Sequence, residues 1–203
     1  MTPFVEQLLV DLRATSPLEG ATVALGLVYV VLAVRRSRWC WVYGGLSSAG
    51  LAWLAAQAAL PMQAALQAFY VAMAVYGFVR WSAERDAGGH VVVGWWPARR
   101  HVVAWIAIAG LTLISAQALA RHTHAARPLL DAACTWGSLY ATWLAARARI
   151  ENWVYWIAID AALGVLFASQ ALALVALLYF VYLGIAGVGF ASWWRRLPQP
   201  GAT

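Results

Sequence analysis

Asn152, Trp153, Trp156 and Asp160 fall within the segment RIENWVYWIAID, residues 149–160. Asn152, Trp156 and Asp160 step by four, and Trp153, Trp156 and Asp160 step by three and four. On a helix that spacing makes one stripe bearing a carboxamide, two indoles and a carboxylate. Indole faces stack on flat rings and attract a delocalised cation. An amide offers donor and acceptor together. A carboxylate deeper in the stripe can bond hydroxyls or balance positive charge. The two Trp residues also fit an interfacial aromatic belt. Asp131, Thr135, Ser138 and Thr142 form a second stripe, spaced four, three and four. Thr135 or Ser138 can touch a ligand there, or bond a neighbouring helix; Asp131 suits a solvated or capping position. Gln63, Gln67 and Tyr70 form a third. Glu151, beside Arg147 and Arg149, suits an ion pair or a helix N-terminus.

These residue types recognise and hold; they do not form a catalytic dyad. His90, His101, His122 and His124 lie in loops or at span ends, and Cys40 and Cys134 are isolated. No catalytic residue, metal or cofactor is expected, and a membrane-embedded enzyme stands as the weaker rival reading. Of the 203 residues 64% are hydrophobic and 11% charged. Soluble domains are about 45–50% apolar and about 25% charged, so the chain is an integral membrane protein. Its net charge of +6 comes from short Arg clusters between apolar runs. Those act as topology determinants and do not suggest nucleic-acid binding.

About 20 apolar residues cross a bilayer as a helix, and seven runs qualify. They cover 18–34, 39–60, 62–81, 102–120, 129–146, 151–169 and 171–194. Residues 1–16 read as a short surface segment, 17–81 as a first three-helix bundle and 82–101 as a cytoplasmic loop whose later part lies at the interface. Residues 102–120 read as a linker helix, 127–194 as a second bundle and 195–203 as a tail. With seven spans the termini lie on opposite sides. The odd-numbered connections and the C-terminus carry Arg35, Arg36, Arg38, Arg80, Arg85, Arg99, Arg100, Arg147, Arg149, Arg195 and Arg196. The other side carries Arg13, Arg121 and Arg127. The positive-inside rule places the C-terminus in the cytoplasm and the N-terminus outside.

A shift of 112 positions lays the chain on itself. Trp41–Tyr43 falls on Trp153–Tyr155, Tyr70 on Tyr182, Gly77 and Phe78 on Gly189 and Phe190, and Trp81 on Trp193. No gap is needed over roughly 47 positions, and about a third are identical. An offset of four spans keeps both halves the same way up. Parallel repeats of this kind are a transporter pattern, with a substrate site near the midplane between the halves. The repeat adds Trp41, which matches Trp153, and Tyr179, which matches Gln67. The polar groups are not duplicated: Asn152, Trp156 and Asp160 fall on Cys40, Gly44 and Ser48. That asymmetry suits an asymmetric small molecule. Gene duplication in a non-transporting bundle is the bland alternative.

The segments LLDAACTWGS, LYATWLAARARI and ENWVYWIAID resemble the PnuC family of vitamin transporters. The shared pattern is Asp131-Ala132, Ala141 to Leu144, the basic pair Arg147 and Arg149, and Asn152 to Trp156. The resemblance implies a bacterial inner-membrane carrier with a SWEET-like, all-α core of two three-helix bundles in a 3+1+3 arrangement. It implies facilitated diffusion of nicotinamide riboside, trapped by a cytoplasmic kinase, and a homotrimer. Relatives on the same scaffold carry thiamine or other B vitamins. Trp153 and Trp156 carry over as ring-binding and Asn152 as their neighbour; Gln67 and Tyr70 carry over by position only. Both vitamins hold a cationic aromatic ring. Proton coupling through Asp160 stands as the minority reading of the mechanism.

Overall fold

The computed structural model describes residues 15–122, 127–170 and 172–197. The expected surface segment falls almost wholly outside them, as do the middle of the RHTHAARP connection and most of the C-terminal tail. Among the described residues are seven helices: α1 (Pro17–Val34), α2 (Cys40–Gln57), α3 (Pro61–Ala83), α4 (Ala98–His122), α5 (Pro128–Ala146), α6 (Asn152–Ser169) and α7 (Ala173–Trp194). No strand forms among the described residues, only two isolated bridges. α1, α4, α6 and α7 are long and apolar enough to cross a bilayer on composition alone. α2, α3 and α5 carry Ser, Gln and Thr stripes that lower their mean hydropathy.

Local chemistry sets the boundaries. Ser16 and Glu19 form a capping box at the start of α1: the Glu19 N–H donates to Ser16 Oγ (3.2 Å) and the Ser16 N–H to Glu19 Oε2 (2.7 Å). α5 begins at a proline, whose missing N–H costs nothing at the first helical position. α1, α2 and α5 all stop at a left-handed residue: Arg36 (φ 57°), Ala59 (φ 53°) and Ala148 (φ 52°). In each case the residue's own amide and the next one turn back onto the last helical turn, for example Ala148 N–H to Ala145 O (2.8 Å) and Arg149 N–H to Leu144 O (2.9 Å). None of the three is the glycine that such a stop favours. Arg36 and Ala148 are repeat partners, so the two halves end their first helix in the same way.

α2 packs against both α1 and α3, and α6 against both α5 and α7, while α4 packs on α5. Trp136 on α5 donates to Ser115 Oγ on α4 at 3.0 Å. The outer face of α4 is apolar and bare, with Val103, Ile106 and Ile114 among its exposed residues. The halves meet along α1–α7 and α3–α5, two contacts that the 112-residue shift exchanges.

The connection between α3 and α4 departs from expectation. The sequence predicts an interfacial segment over 91–100, but Val91 and Val93 are buried in the core. The strand-like stretch straps the Arg-rich end. The Val91 N–H donates to Arg36 O (3.2 Å) in the first half, and the Gly94 N–H to Ala148 O (3.1 Å) in the second. The Ile150 N–H returns a bond to Gly94 O (3.1 Å). Arg36 holds the strap through Val91 O (3.1 Å) and Asp86 Oδ2 (3.3 Å). The His90 backbone N–H, with the Arg36 guanidinium, keeps the Asp86 carboxyl below the usual carboxylate range. α4 accordingly starts at Ala98, four residues before the expected span. Glu151 stands at the N-terminus of α6, one of the two placements expected of it, and its carboxylate pairs with His101 Nε2 (3.1 Å) and accepts the Trp96 N–H.

Candidate functional site

Between the halves lies a cavity of about 470 Å³, within the range of about 300–1,000 Å³ usual for small-molecule sites. Ten of the residues singled out by spacing or repeat lie on its wall: Trp41, Gln67, Tyr70, Thr135, Ser138, Asn152, Trp153, Trp156, Asp160 and Tyr179; Thr142 does not. The geometry brings them together from α2, α3, α5, α6 and α7.

α6 supplies one wall. Asp160 is 4% exposed, yet among the described residues no hydrogen bond or ion pair reaches its carboxylate. Its oxygens are not sealed off and reach the cavity, so a partner can approach the carboxylate from that side. Trp156 stands one turn away on the same face. Asn152 is more constrained than its spacing suggests. Its amide nitrogen donates to Arg149 O at 2.6 Å, tying α6 to the turn before it and leaving the amide oxygen for other partners.

α3 and α5 supply the facing wall. Tyr70 on α3 lies beside Ser138 on α5. Thr142, the last member of the α5 stripe, turns its hydroxyl back to Ser138 O (2.8 Å) within its own helix. Asp131 is exposed, as expected of a solvated position, and it also borders the cavity with Gln63 and Phe167. Those three stand where α3 and α5 begin and α6 ends. The cavity therefore opens toward the end of the molecule away from the strap.

The floor lies at the strapped end and is made of indoles. Trp41 and Trp81 meet edge to face with centroids 5.5 Å apart and planes at 88°. Trp153 and Trp193 repeat that pair at 5.5 Å and 89°. Trp81 and Trp193 meet between them at 5.9 Å. A glycine seats each outer indole. A Cβ on Gly77 would lie 2.3 Å from Trp41 Cε2, and one on Gly189 would lie 2.7 Å from Trp153 Cε2. The Trp41 and Trp153 indole N–H groups are buried with no partner.

Sequence reasoning left out several lining residues. Trp81 and Trp193 stood out as a matched pair, but nothing in their spacing marks them as floor. Tyr29 on α1 lines the cavity and meets Trp41 at 5.9 Å. Its repeat partner is Ala141, so the shift gave no signal. Tyr182 was visible as the partner of Tyr70 and also lines the wall.

Residues 16–195 match the nicotinamide mononucleotide transporter family. The chain belongs to that family. It is 30% identical over 177 residues to the riboflavin/roseoflavin transporter RibM of Streptomyces davaonensis, covering 85% of this chain and 82% of that protein. Its fold matches the crystal structure of the vitamin B3 transporter PnuC with a TM-score of 0.75. That match covers 96% of this chain and 88% of PnuC at 20% identity. As a member of the family it is a multi-pass membrane protein and a vitamin transporter, not an enzyme. The resemblance carried by ENWVYWIAID and the segments before it holds over most of the chain.

Proposed function

We propose that this family member carries nicotinamide riboside by facilitated diffusion, through rocking of the two halves around the central cavity. The observation that carries the reading is Asp160. It is a buried carboxylate without a partner, one turn from Trp156, on the wall of an aromatic cavity. A pyridinium ring supplies what that wall lacks, a flat face for the indoles and a positive charge for the carboxylate. The amide oxygen of Asn152, with Gln67, Thr135 and Ser138, offers partners for ribose hydroxyls. Thiamine, with its thiazolium, meets the same charge argument. A second reading is riboflavin, favoured by the likeness to the riboflavin/roseoflavin transporter RibM; its neutral ring would use the indoles without needing Asp160.

The Arg-rich end is assigned to the cytoplasm and the open mouth to the periplasm of a bacterial inner membrane, on the charge bias of the connections. A cytoplasmic kinase that phosphorylates the vitamin would keep the gradient inward. A homotrimer is the expected assembly, and the bare face of α4 is available for it.

Purified protein in liposomes tests the reading. Radiolabelled nicotinamide riboside should equilibrate saturably, to the same level with and without a proton gradient. Uptake of riboflavin at lower concentration, with nicotinamide riboside failing to compete, would transfer the assignment to the second reading. Accumulation above equilibrium that depends on the proton gradient would establish proton coupling.

A further inference from the structure

The floor of the cavity stands between the site and the Arg-rich end, so any flat ring that crosses the molecule must pass it. Trp81 belongs to the first half, on α3. Its indole N–H donates to Ala145 O on α5, in the second half, at 3.2 Å. Trp193 belongs to the second half, on α7. Its indole N–H donates to Ala33 O on α1, in the first half, at 3.1 Å. Trp81 and Trp193 differ by the repeat shift, and so do Ala33 and Ala145. The two bonds are therefore one bond made twice, crossed between the halves. Each acceptor sits in the last turn of its helix, where Ala33 O also takes the Arg36 N–H (2.9 Å) and Ala145 O the Ala148 N–H (2.8 Å), so the indole uses the carbonyl's second lone pair. Both indoles are fully buried and touch one another.

We propose that Trp81 and Trp193 are the gate at the strapped end: a duplicated, crossed latch that must release both indole bonds before the cavity can open toward the Arg-rich side. This inference depends on transport by the family and not on which vitamin is carried. Duplication makes the latch cooperative. Rocking one half away from the other lengthens both bonds together, since each spans the same pair of surfaces. The outer indoles, Trp41 and Trp153, are seated on glycines of their own halves and travel with them. The parting line of the gate is thus the 5.9 Å contact between Trp81 and Trp193.

Cys134 borders the cavity, whereas Cys40 is fully buried. A Cys40→Ala background leaves one thiol as a reporter. In vesicles of known orientation, without any vitamin, a membrane-impermeant maleimide should label Cys134 from the open side and hardly at all from the strapped side. Trp81→Phe and Trp193→Phe keep a ring and delete the donor. Each should raise labelling from the strapped side about fivefold, the population shift of one ordinary hydrogen bond, and the double variant about 25-fold. Labelling from the open side should persist and serves as the folding control. Unchanged labelling from the strapped side in folded variants would overturn the proposal. If the Phe variants do not assemble, the unaltered chain supplies a second test. One motion breaks both bonds, so the ¹⁵N-indole protons of Trp81 and Trp193 must exchange with solvent at matching rates; exchange rates differing by about tenfold or more would overturn the proposal.

Discussion

The two halves share an aromatic frame and differ in what hangs on it. Trp41 repeats as Trp153, Trp81 as Trp193, Gly77 as Gly189, and the edge-to-face pairs agree to within a degree, 88° against 89°. On the same frame the second half places Asn152, Trp156 and Asp160 where the first has Cys40, Gly44 and Ser48. Conversely, the first half has Gln67 where the second has Tyr179. Within the shared part Trp81 and Trp193 bond across the halves, while Trp41 and Trp153 pack on glycines of their own. Under the proposed function, the differing part recognises one face and one end of a molecule with no symmetry of its own.

The largest effect should follow from making the second half more like the first at Trp156. Trp156→Ala removes the ring that Gly44 lacks, and vitamin affinity measured by calorimetry should fall about 100-fold, the loss of one buried ring stack with a cation. The shared frame should be nearly as sensitive, and in both halves. Gly77→Ala drives a Cβ to 2.3 Å from Trp41, and Gly189→Ala drives one to 2.7 Å from Trp153. Overpacking of this kind costs about 1–3 kcal/mol. Both variants should lower the thermal midpoint, Gly77→Ala more than Gly189→Ala.

Exchanging Asp160 for its partner's residue sharpens the contrast in polar groups. Asp160→Ser should weaken binding of a cationic ring about tenfold and leave a neutral ring within about twofold, as expected for loss of one buried ionic contact. The smallest effect separates the two helix stops. Ala148→Gly relieves a left-handed alanine and should stabilise the fold by about 1 kcal/mol in chemical denaturation. Arg36→Gly relieves the same strain but deletes the bonds to Val91 O and Asp86, so it should gain nothing.

Much of this architecture could be read from the chain because membranes make sequences simple. Apolar runs ended by Arg clusters or proline gave each helix to within a few residues, α4 apart. The 112-residue shift survived because bulky indoles and their facing glycines cannot drift independently. The candidate residues could be grouped because Thr135 and Ser138, or Trp156 and Asp160, repeat at helical spacing on one face. The strap was not legible. Val91 and Gly94 pair with Arg36 and Ala148, positions more than 50 residues away, through backbone groups that carry no side-chain signature. The crossed latch stayed hidden for the same reason, since its acceptors are carbonyls of Ala33 and Ala145. Asn152 read as wholly available, but local geometry commits its nitrogen to the adjacent turn.

The central claim is that an unpartnered carboxylate and a pair of indoles receive a flat cation. It is tested most directly by comparing binding of nicotinamide riboside with that of its reduced form, whose dihydropyridine ring is uncharged. The account predicts that the cation binds the purified protein about tenfold more tightly, and that Asp160→Asn erases the difference. Equal binding of the two forms by the unaltered protein would contradict it.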